Sequence, residues 1–192
     1  MRTQQEGIIY GPESGSLPDP ESVGILILDF SASRTVRNKC GPLIYEMLNK
    51  IEDLIFLEAD LLDRKQWQDW LDLYTSDCVI WVPSWDSEEQ LVEDPELSVN
   101  MMYLVGKPAL EARVHRITSV DAYASLPLAR TMHSVTNIRL VEETSTILKV
   151  VAKWIVLCLD PRRGKIWRGG WYDYSLEKCQ KGLHIQAKKI TL

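Results

Sequence analysis

The segment Thr146 to Cys158 alternates without a break: Leu148, Val150, Ala152, Trp154, Val156 and Cys158 point one way, Lys149 and Lys153 the other. Alternation at period two over that length marks a strand with one face on a core and the other toward water. Ser134 to Val141 and Trp167 to Leu176 flank it, joined by the polar turn Glu142 to Ser145 and by Asp160-Pro161-Arg162-Arg163-Gly164. Consecutive strands with short turns make an antiparallel meander. Helical periodicity comes earlier in the chain, so the expected architecture is α+β. Helices first, then a long curved antiparallel sheet, gives a cone in which the helices close one face of the sheet.

From Pro42 the pattern is helical, with Ile44, Leu48, Ile51, Ile55 and Leu62 on one side and Leu54, Leu57 and Leu61 widening the stripe. Asp63 followed by Gln66 has the form of a capping box, which predicts that a second helix starts there. Trp67, Trp70, Leu71 and Tyr74 then recur at helical spacing on its buried face, a pattern that reads as core rather than as a ligand box. Residues 78–83 read as a strand apolar on both sides that ends at Pro83. Trp85 to Ser98 is a loop carrying Asp86, Glu88, Glu89, Glu93, Asp94 and Glu96. It lacks the glycine and alternate-ligand spacing of a calcium loop, so it reads as solvated surface. Val99 to Val105 reads as a short strand. Gly106 and Pro108 then introduce a helix that turns Leu110, Val114 and Ile117 inward and carries Arg113 and Arg116 near its end, where cations suit the helix dipole. Gly169-Gly170 reads as a bulge that bends the sheet.

At 192 residues and 45% apolar content the chain has the material for one well-buried domain over residues 43–192. Residues 1–42, punctuated by Gly11-Pro12, Gly15, Pro18 and Pro20, read as an extension or arm. Such an arm packs along a neighbouring subunit, is disordered, or reflects a start site upstream of Met47; the apolar run Val23 to Leu28 favours packing.

The net charge of −5 argues against nucleic acid as a partner. It hides an asymmetry: 7 Lys/Arg against 20 Asp/Glu up to Gly106, and 15 against 7 from Lys107 onward, or −13 and +8. On different faces these halves favour head-to-tail association of copies; interleaved in space, they cancel. Cys40, Cys78, Cys158 and Cys179 have no C-x-x-C spacing and read as small buried hydrophobes in a reducing compartment. The run Val23 to Leu28 is too short to span a bilayer and no basic segment precedes it, so the expectation is a cytoplasmic protein with no membrane partner. Nucleophile and phosphate motifs are also missing: there is no G-x-S-x-G, and Arg168-Gly169-Gly170-Trp171 lacks P-loop spacing.

The stretch Phe56-Leu57-Glu58-Ala59-Asp60-Leu61-Leu62-Asp63-Arg64-Lys65-Gln66-Trp67-Gln68-Asp69-Trp70-Leu71-Asp72-Leu73-Tyr74, running into Asp77 to Pro83, resembles the opening of the small (beta) subunit of Rieske-type aromatic-ring-hydroxylating dioxygenases. Arg113-Val114-His115-Arg116-Ile117, the strand Arg130-Thr131-Met132-His133-Ser134-Val135-Thr136-Asn137-Ile138 and the tail Leu183 to Leu192 continue the resemblance in order over residues 45–192. No single piece is a catalytic signature; the specificity lies in the series. The order of motifs is closer to members acting on benzoate, anthranilate or salicylate than to the biphenyl type.

The resemblance implies a cystatin-like, nuclear-transport-factor-like cone. It implies a non-catalytic subunit that self-associates as a homotrimer and carries three large (alpha) subunits as α3β3. The large subunit would hold the Rieske 2Fe-2S cluster and a mononuclear non-haem iron, and a reductase, with or without a ferredoxin, would deliver electrons from NADH. The holoenzyme would add both atoms of O2 to an aromatic ring. In this chain no catalytic, cofactor or metal residue is then expected: a Rieske cluster needs paired Cys and His, and only His115, His133 and His184 exist, none within two residues of a Cys. Trp85, Arg113, Arg116, Arg130, Trp167 and Arg168 are the candidates for subunit contacts, because planar side chains and guanidinium forks suit interfaces. The extension and the acidic loop depart from the family pattern.

The alternative is a stand-alone pocket enzyme, a dehydratase, isomerase or hydrolase acting on a small hydrophobic molecule inside the cone. For that reading Asp60, Tyr74 and Asp173 are the candidate acid or base groups, with Trp81 and Tyr103 beside them. Asp60, flanked by apolar residues, reads otherwise as the partner of an arginine on a neighbouring copy.

Overall fold

The computed structural model describes residues 42–121, 126–180 and 182–192. The expectations placed on the extension before Pro42, on Cys40 and on the side chain of Ile44 lie outside the described residues. Helix α1 (Pro42–Arg64) buries Ile51, Leu54, Ile55 and Leu61. Each such side chain contributes at most about 1.5–3 kcal/mol of hydrophobic stabilisation. Leu57, expected on this stripe, is 45% exposed. At about 100° per residue it sits roughly a quarter-turn from the stripe's centre, whereas position 58 falls on it.

The expected capping box does not form. Lys65, at φ 59°, breaks the helix, and α2 (Trp67–Asp72) starts from Gln66 with no side-chain cap bond. Asp63 is instead occupied by β3, as described below. Trp70 and Leu71 are buried as expected, but Tyr74 opens strand β1 (Tyr74–Pro83) rather than closing the helix.

The remaining elements are β2 (Asn100–Val105), α3 (Lys107–Thr118), β3 (Arg130–Glu143), β4 (Ile147–Asp160), β5 (Gly164–Cys179) and β6 (Gly182–Thr191). They form one six-stranded sheet in the order β2-β1-β6-β5-β4-β3. In β4 the expected alternation holds: Leu148, Val150, Ala152, Trp154 and Val156 are all buried. The meander of β3, β4, β5 and β6 is antiparallel throughout. One pairing is not antiparallel: β6 lies parallel to β1, with Ile80 beside Lys188 and Trp81 beside Lys189. That pairing threads the basic C-terminal half into the acidic N-terminal half.

The expected bulge at Gly169-Gly170 is absent, since β4 and β5 stay in register through Ile155–Gly169 and Trp154–Gly170. Close approach explains the glycine instead. A Cβ on Gly170 would run into the carbonyl oxygen of Thr191 at the end of β6.

Helix α1 packs against β3 and β6, and α3 against β1 and β2. In α3, Leu110 is fully buried while Val114 and Ile117 are half-buried. The result is the α+β cone, with its core between the helices and the inner face of the sheet. Of the described cysteines, Cys78 is buried and Cys158 half-buried, whereas Cys179 is exposed beside the β5–β6 turn, against the expectation of burial.

Candidate functional site

The inside of the cone is organised by a carboxylate. Glu58 lies at the centre of the apolar stripe of α1 and is 1% exposed. Lys188, from β6, reaches it with Nζ donating to Oε1 at 2.7 Å and to Oε2 at 2.8 Å. Tyr74 of β1 donates to Oε1 at 2.5 Å and Tyr174 of β5 to Oε2 at 2.8 Å. Four hydrogen bonds from three donor groups fill the acceptor positions of one carboxylate.

Burial by itself would raise the Glu58 carboxyl. The Lys188 charge and the hydrogen bonds from Lys188, Tyr74 and Tyr174 outweigh it and hold the group below its ordinary range. Burial lowers the Lys188 ammonium, which the Glu58 charge opposes. Burial, followed by the negative charge of Glu58, pushes both Tyr74 and Tyr174 well above the usual phenol range, so they stay donors. Lys188 Nζ also sits 4.0 Å from the centroid of the Tyr172 ring, and Tyr172 stacks on Trp154 at 5.2 Å. A buried ion pair is thus completed on every side by hydroxyls and ring faces.

This cluster forms the floor of a cavity of about 200 Å³ between α1, α2 and α3 and strands β1, β2 and β6. Its walls are apolar, including Trp67, Trp70, Ile80, Leu104, Val114 and Ile117. Arg113 stands at the exposed end, and no acid pairs with it among the described residues. Trp70, in the wall, has a buried indole N–H without an acceptor.

Of the five groups expected inside such a cavity, Tyr74 is there. Asp60 lies on the opposite side of α1, exposed and paired with Arg64 at 2.8 Å. Two positions from Glu58 is about 200° around a helix, which is why the neighbouring carboxylate of the same run points to solvent. Asp173 pairs across strands with Lys189, on the outer face of the sheet. Trp81 and Tyr103 are directly opposed on that same outer face, where Lys189 Nζ stands 4.5 Å from the Trp81 ring centroid. Sequence reading passes over Glu58 in favour of Asp60, two positions on, and over Lys188 because Lys189 stands directly beside it. The available signal was the helical stripe 51, 54, 55, 58, 61, in which Glu58 occupies a core position.

A second polar junction ties α1 to β3. The backbone N–H of His133 donates to Asp63 Oδ2 at 2.8 Å and its Nδ1 lies 2.6 Å from Oδ1. Burial would raise the Asp63 carboxyl; the His133 and Thr131 hydrogen bonds and the His133 charge hold it below the ordinary range. His133 is therefore engaged with α1. His115 is on α3 and His184 on β6, beside Glu177 of β5. Among the described residues no three His, Cys, Asp or Glu side chains come together as a metal requires. The donor set fits neither a mononuclear iron nor a Rieske cluster.

The outer face of the sheet carries a second distinctive surface. Leu157 opposes Met132 on one side and Trp167 on the other, while Ile155 and Trp171 follow at the same parity. Trp167 is 63% and Trp171 53% exposed, and Met132, Ile155 and Leu159 are exposed with them. Arg130, opposite Leu159, joins this face. Arg168 opposes Val156 and so belongs to the inner parity, where it is exposed. Arg116 is exposed on α3. Trp85 is 45% exposed and donates its indole N–H to the Leu192 carbonyl at 3.0 Å. The acidic loop 85–98 is largely exposed around a Trp85–Leu91 bridge, with Val92 buried. No helix among the described residues is long and apolar enough to cross a membrane.

Comparison with known proteins gives these features a context. The family described as ring hydroxylating beta subunit matches residues 57–192. The beta subunit of toluate 1,2-dioxygenase from Pseudomonas putida is 32% identical over 74% of this chain and 87% of its own length. The small subunit of 2-halobenzoate 1,2-dioxygenase from Burkholderia cepacia is 34% identical over 72% of this chain and 83% of its own. Among solved structures, the beta subunit of benzoate 1,2-dioxygenase from Burkholderia mallei superposes with a TM-score of 0.62 at 27% identity, covering 74% of this chain and 87% of that one. With a matching cone, the match spanning the strands and the carboxylate-bearing part of α1, and sequence identity maintained along most of its length, this chain belongs to the ring-hydroxylating beta subunit family, the small subunits of aromatic-ring-hydroxylating dioxygenases.

Proposed function

We propose that this chain is the non-catalytic, structural subunit of an assembly that dihydroxylates an aromatic acid of the benzoate type, using O2 and electrons derived from NADH. The relatives that support this substrate class bear the names of toluate, halobenzoate and benzoate dioxygenases. The chain self-associates as a homotrimer and seats three large subunits, giving α3β3. The Rieske 2Fe-2S cluster and the mononuclear non-haem iron belong to the large subunit, and a reductase, with or without a ferredoxin, supplies electrons in the cytoplasm. Residues 1–42 are an N-terminal extension or arm to the domain of residues 43–192.

The observation that carries this reading is the outer sheet face, where Met132, Ile155, Trp167 and Trp171 are exposed together. A soluble protein covers a surface of that kind with a partner. Arg130 and Trp167 serve the contact between copies, while Trp85, Arg113, Arg116 and Arg168, on the loop, α3 and β5, are the candidates for meeting the large subunit. The stand-alone enzyme reading is weaker on chemical grounds: the cavity contains a carboxylate, but all its acceptor positions are filled, so it has none left to take a proton from a substrate.

Sedimentation equilibrium of the full-length chain tests the assembly. The wild type is expected to sediment as three copies, and Trp167→Asp, which places a charge in the centre of the contact, to sediment as one. A wild type that stays monomeric at micromolar concentration, or a Trp167→Asp variant that stays trimeric, contradicts the proposal.

A further inference from the structure

Apart from Arg113 at its mouth, the cavity inside the cone is not used by the assembly role, and its composition specifies a ligand. Burial falls steadily along it, from Glu58, Tyr74 and Ile80 at the floor to Trp67, Ile117 and Arg113 at the mouth. At about 200 Å³ it is smaller than a drug-sized site. An apolar cavity of about 150 Å³ already accepts a benzene ring, so this one suits a single substituted ring.

Its charges are just as selective. Glu58 accepts four hydrogen bonds on its two oxygens, from Lys188, Tyr74 and Tyr174. Lys188 directs its ammonium to both of those oxygens and to the Tyr172 face. Neither has capacity left for a ligand. Arg113 is different: it lines the same cavity, and no carboxylate meets it among the described residues. The one unmatched charge in the lining is therefore positive and lies at the mouth, while the interior offers ring faces and aliphatic side chains.

We infer that the cone cavity is a binding site for a small aromatic carboxylate, its ring held against Trp67, Trp70 and Val114 and its carboxylate paired with the Arg113 guanidinium. A guanidinium fork matches a carboxylate in a planar, two-point contact. The site holds the acid unchanged, because the lining has no free base and no metal donor set. It lies within a single chain, and although Arg113 is also a candidate for meeting the large subunit, binding to this chain by itself is read without that partner, so the site stands or falls separately from the assembly role.

The test is titration of the full-length chain with benzoate and, as the neutral comparison, benzyl alcohol, followed by calorimetry. Benzoate is expected to bind saturably and more tightly than benzyl alcohol. Arg113→Gln, an exposed substitution that leaves the core intact, is expected to weaken benzoate by about tenfold, the weight of one charge-assisted contact, and to leave benzyl alcohol unchanged. Val114→Trp fills the cavity and is expected to abolish both; Leu104→Phe serves the same purpose if that variant does not unfold cooperatively. Absence of saturable benzoate binding at millimolar concentration overturns the inference. So does equal affinity for the acid and the alcohol, or benzoate binding that is unaltered by Arg113→Gln or by the cavity-filling variant.

Discussion

Glu58 and Lys188 stand 130 residues apart in the chain and 2.7 Å apart in the fold, both almost fully buried. The pair joins α1 to β6, so it closes the cone at its centre. A buried ion pair is weak evidence of net stabilisation, since desolvating two charges offsets most of their attraction. Removing one partner is a different matter, because the other is left charged and unmatched.

Lys188→Met is therefore expected to destabilise the chain by about 3–5 kcal/mol, read as the shift in free energy of urea unfolding. Adding Glu58→Gln to it is expected to recover most of that loss. The neutral amide accepts from one tyrosine hydroxyl through its oxygen and donates to the other hydroxyl through its NH2, and no charge remains buried. If the double variant is no more stable than Lys188→Met alone, the loss belongs to packing of the lysine stem rather than to the stranded charge.

Acid is expected to loosen the same contacts. The carboxyls of Glu58 and Asp63 titrate below their ordinary range in the folded chain. The folded state therefore binds fewer protons than the unfolded state as these groups titrate. Their contribution to stability is present above the unfolded values, about 4.3 for Glu and about 3.9 for Asp, and is lost as the pH falls below these through the folded values. Urea midpoints measured from about pH 5 down to about pH 3 should fall steeply in the wild type and less steeply in Asp63→Asn.

The Asp63 junction makes a local prediction as well. Asp63→Ala removes the acceptor of the His133 backbone N–H, which is expected to cost about 1.5 kcal/mol, at the low end for a charged acceptor because the pair is partly exposed. Hydrogen exchange of the His133 amide should speed up while amides in the centre of β4 keep their protection. Unchanged exchange at His133 would show that water replaces the carboxylate without penalty.

Gly170→Ala is expected to destabilise the fold by about 1–3 kcal/mol, since the added methyl meets the backbone carbonyl of Thr191, which is not the end of a flexible side chain. Thermal unfolding of this variant checks the value, and a Tm equal to that of the wild type would mean that the end of β6 yields freely.

These features differ in how far the sequence announced them. The alternation in β4 was legible because a strand with one buried face repeats every two residues whatever it packs against. Tyr74 was legible as a buried ring, though not as a strand residue, because burial and helix phase coincide at that position. Asp60 is the carboxylate that the pocket-enzyme reading puts inside, and its other reading pairs it with an arginine of a neighbouring copy; it pairs instead with Arg64 of its own helix, and Glu58 is the one that enters, since only Glu58 shares the angle of Ile51, Leu54 and Ile55 on α1. Its partner could not be read locally at all: Lys188 and Lys189 are adjacent, and the parallel pairing of β6 with β1 decides which faces inward. Capping chemistry misled for a similar reason. Asp63 has the right spacing to cap a helix, but β3 brings two donors from His133 that win it.

The most direct test of the central claim is the iron content and benzoate-dependent O2 uptake of the purified chain alone, of its large subunit alone, and of the two together with reductase and NADH. The expected result is iron only where the large subunit is present, and full turnover only when both chains are combined. Stoichiometric iron in this chain by itself, or turnover by it without the large subunit, would contradict the account.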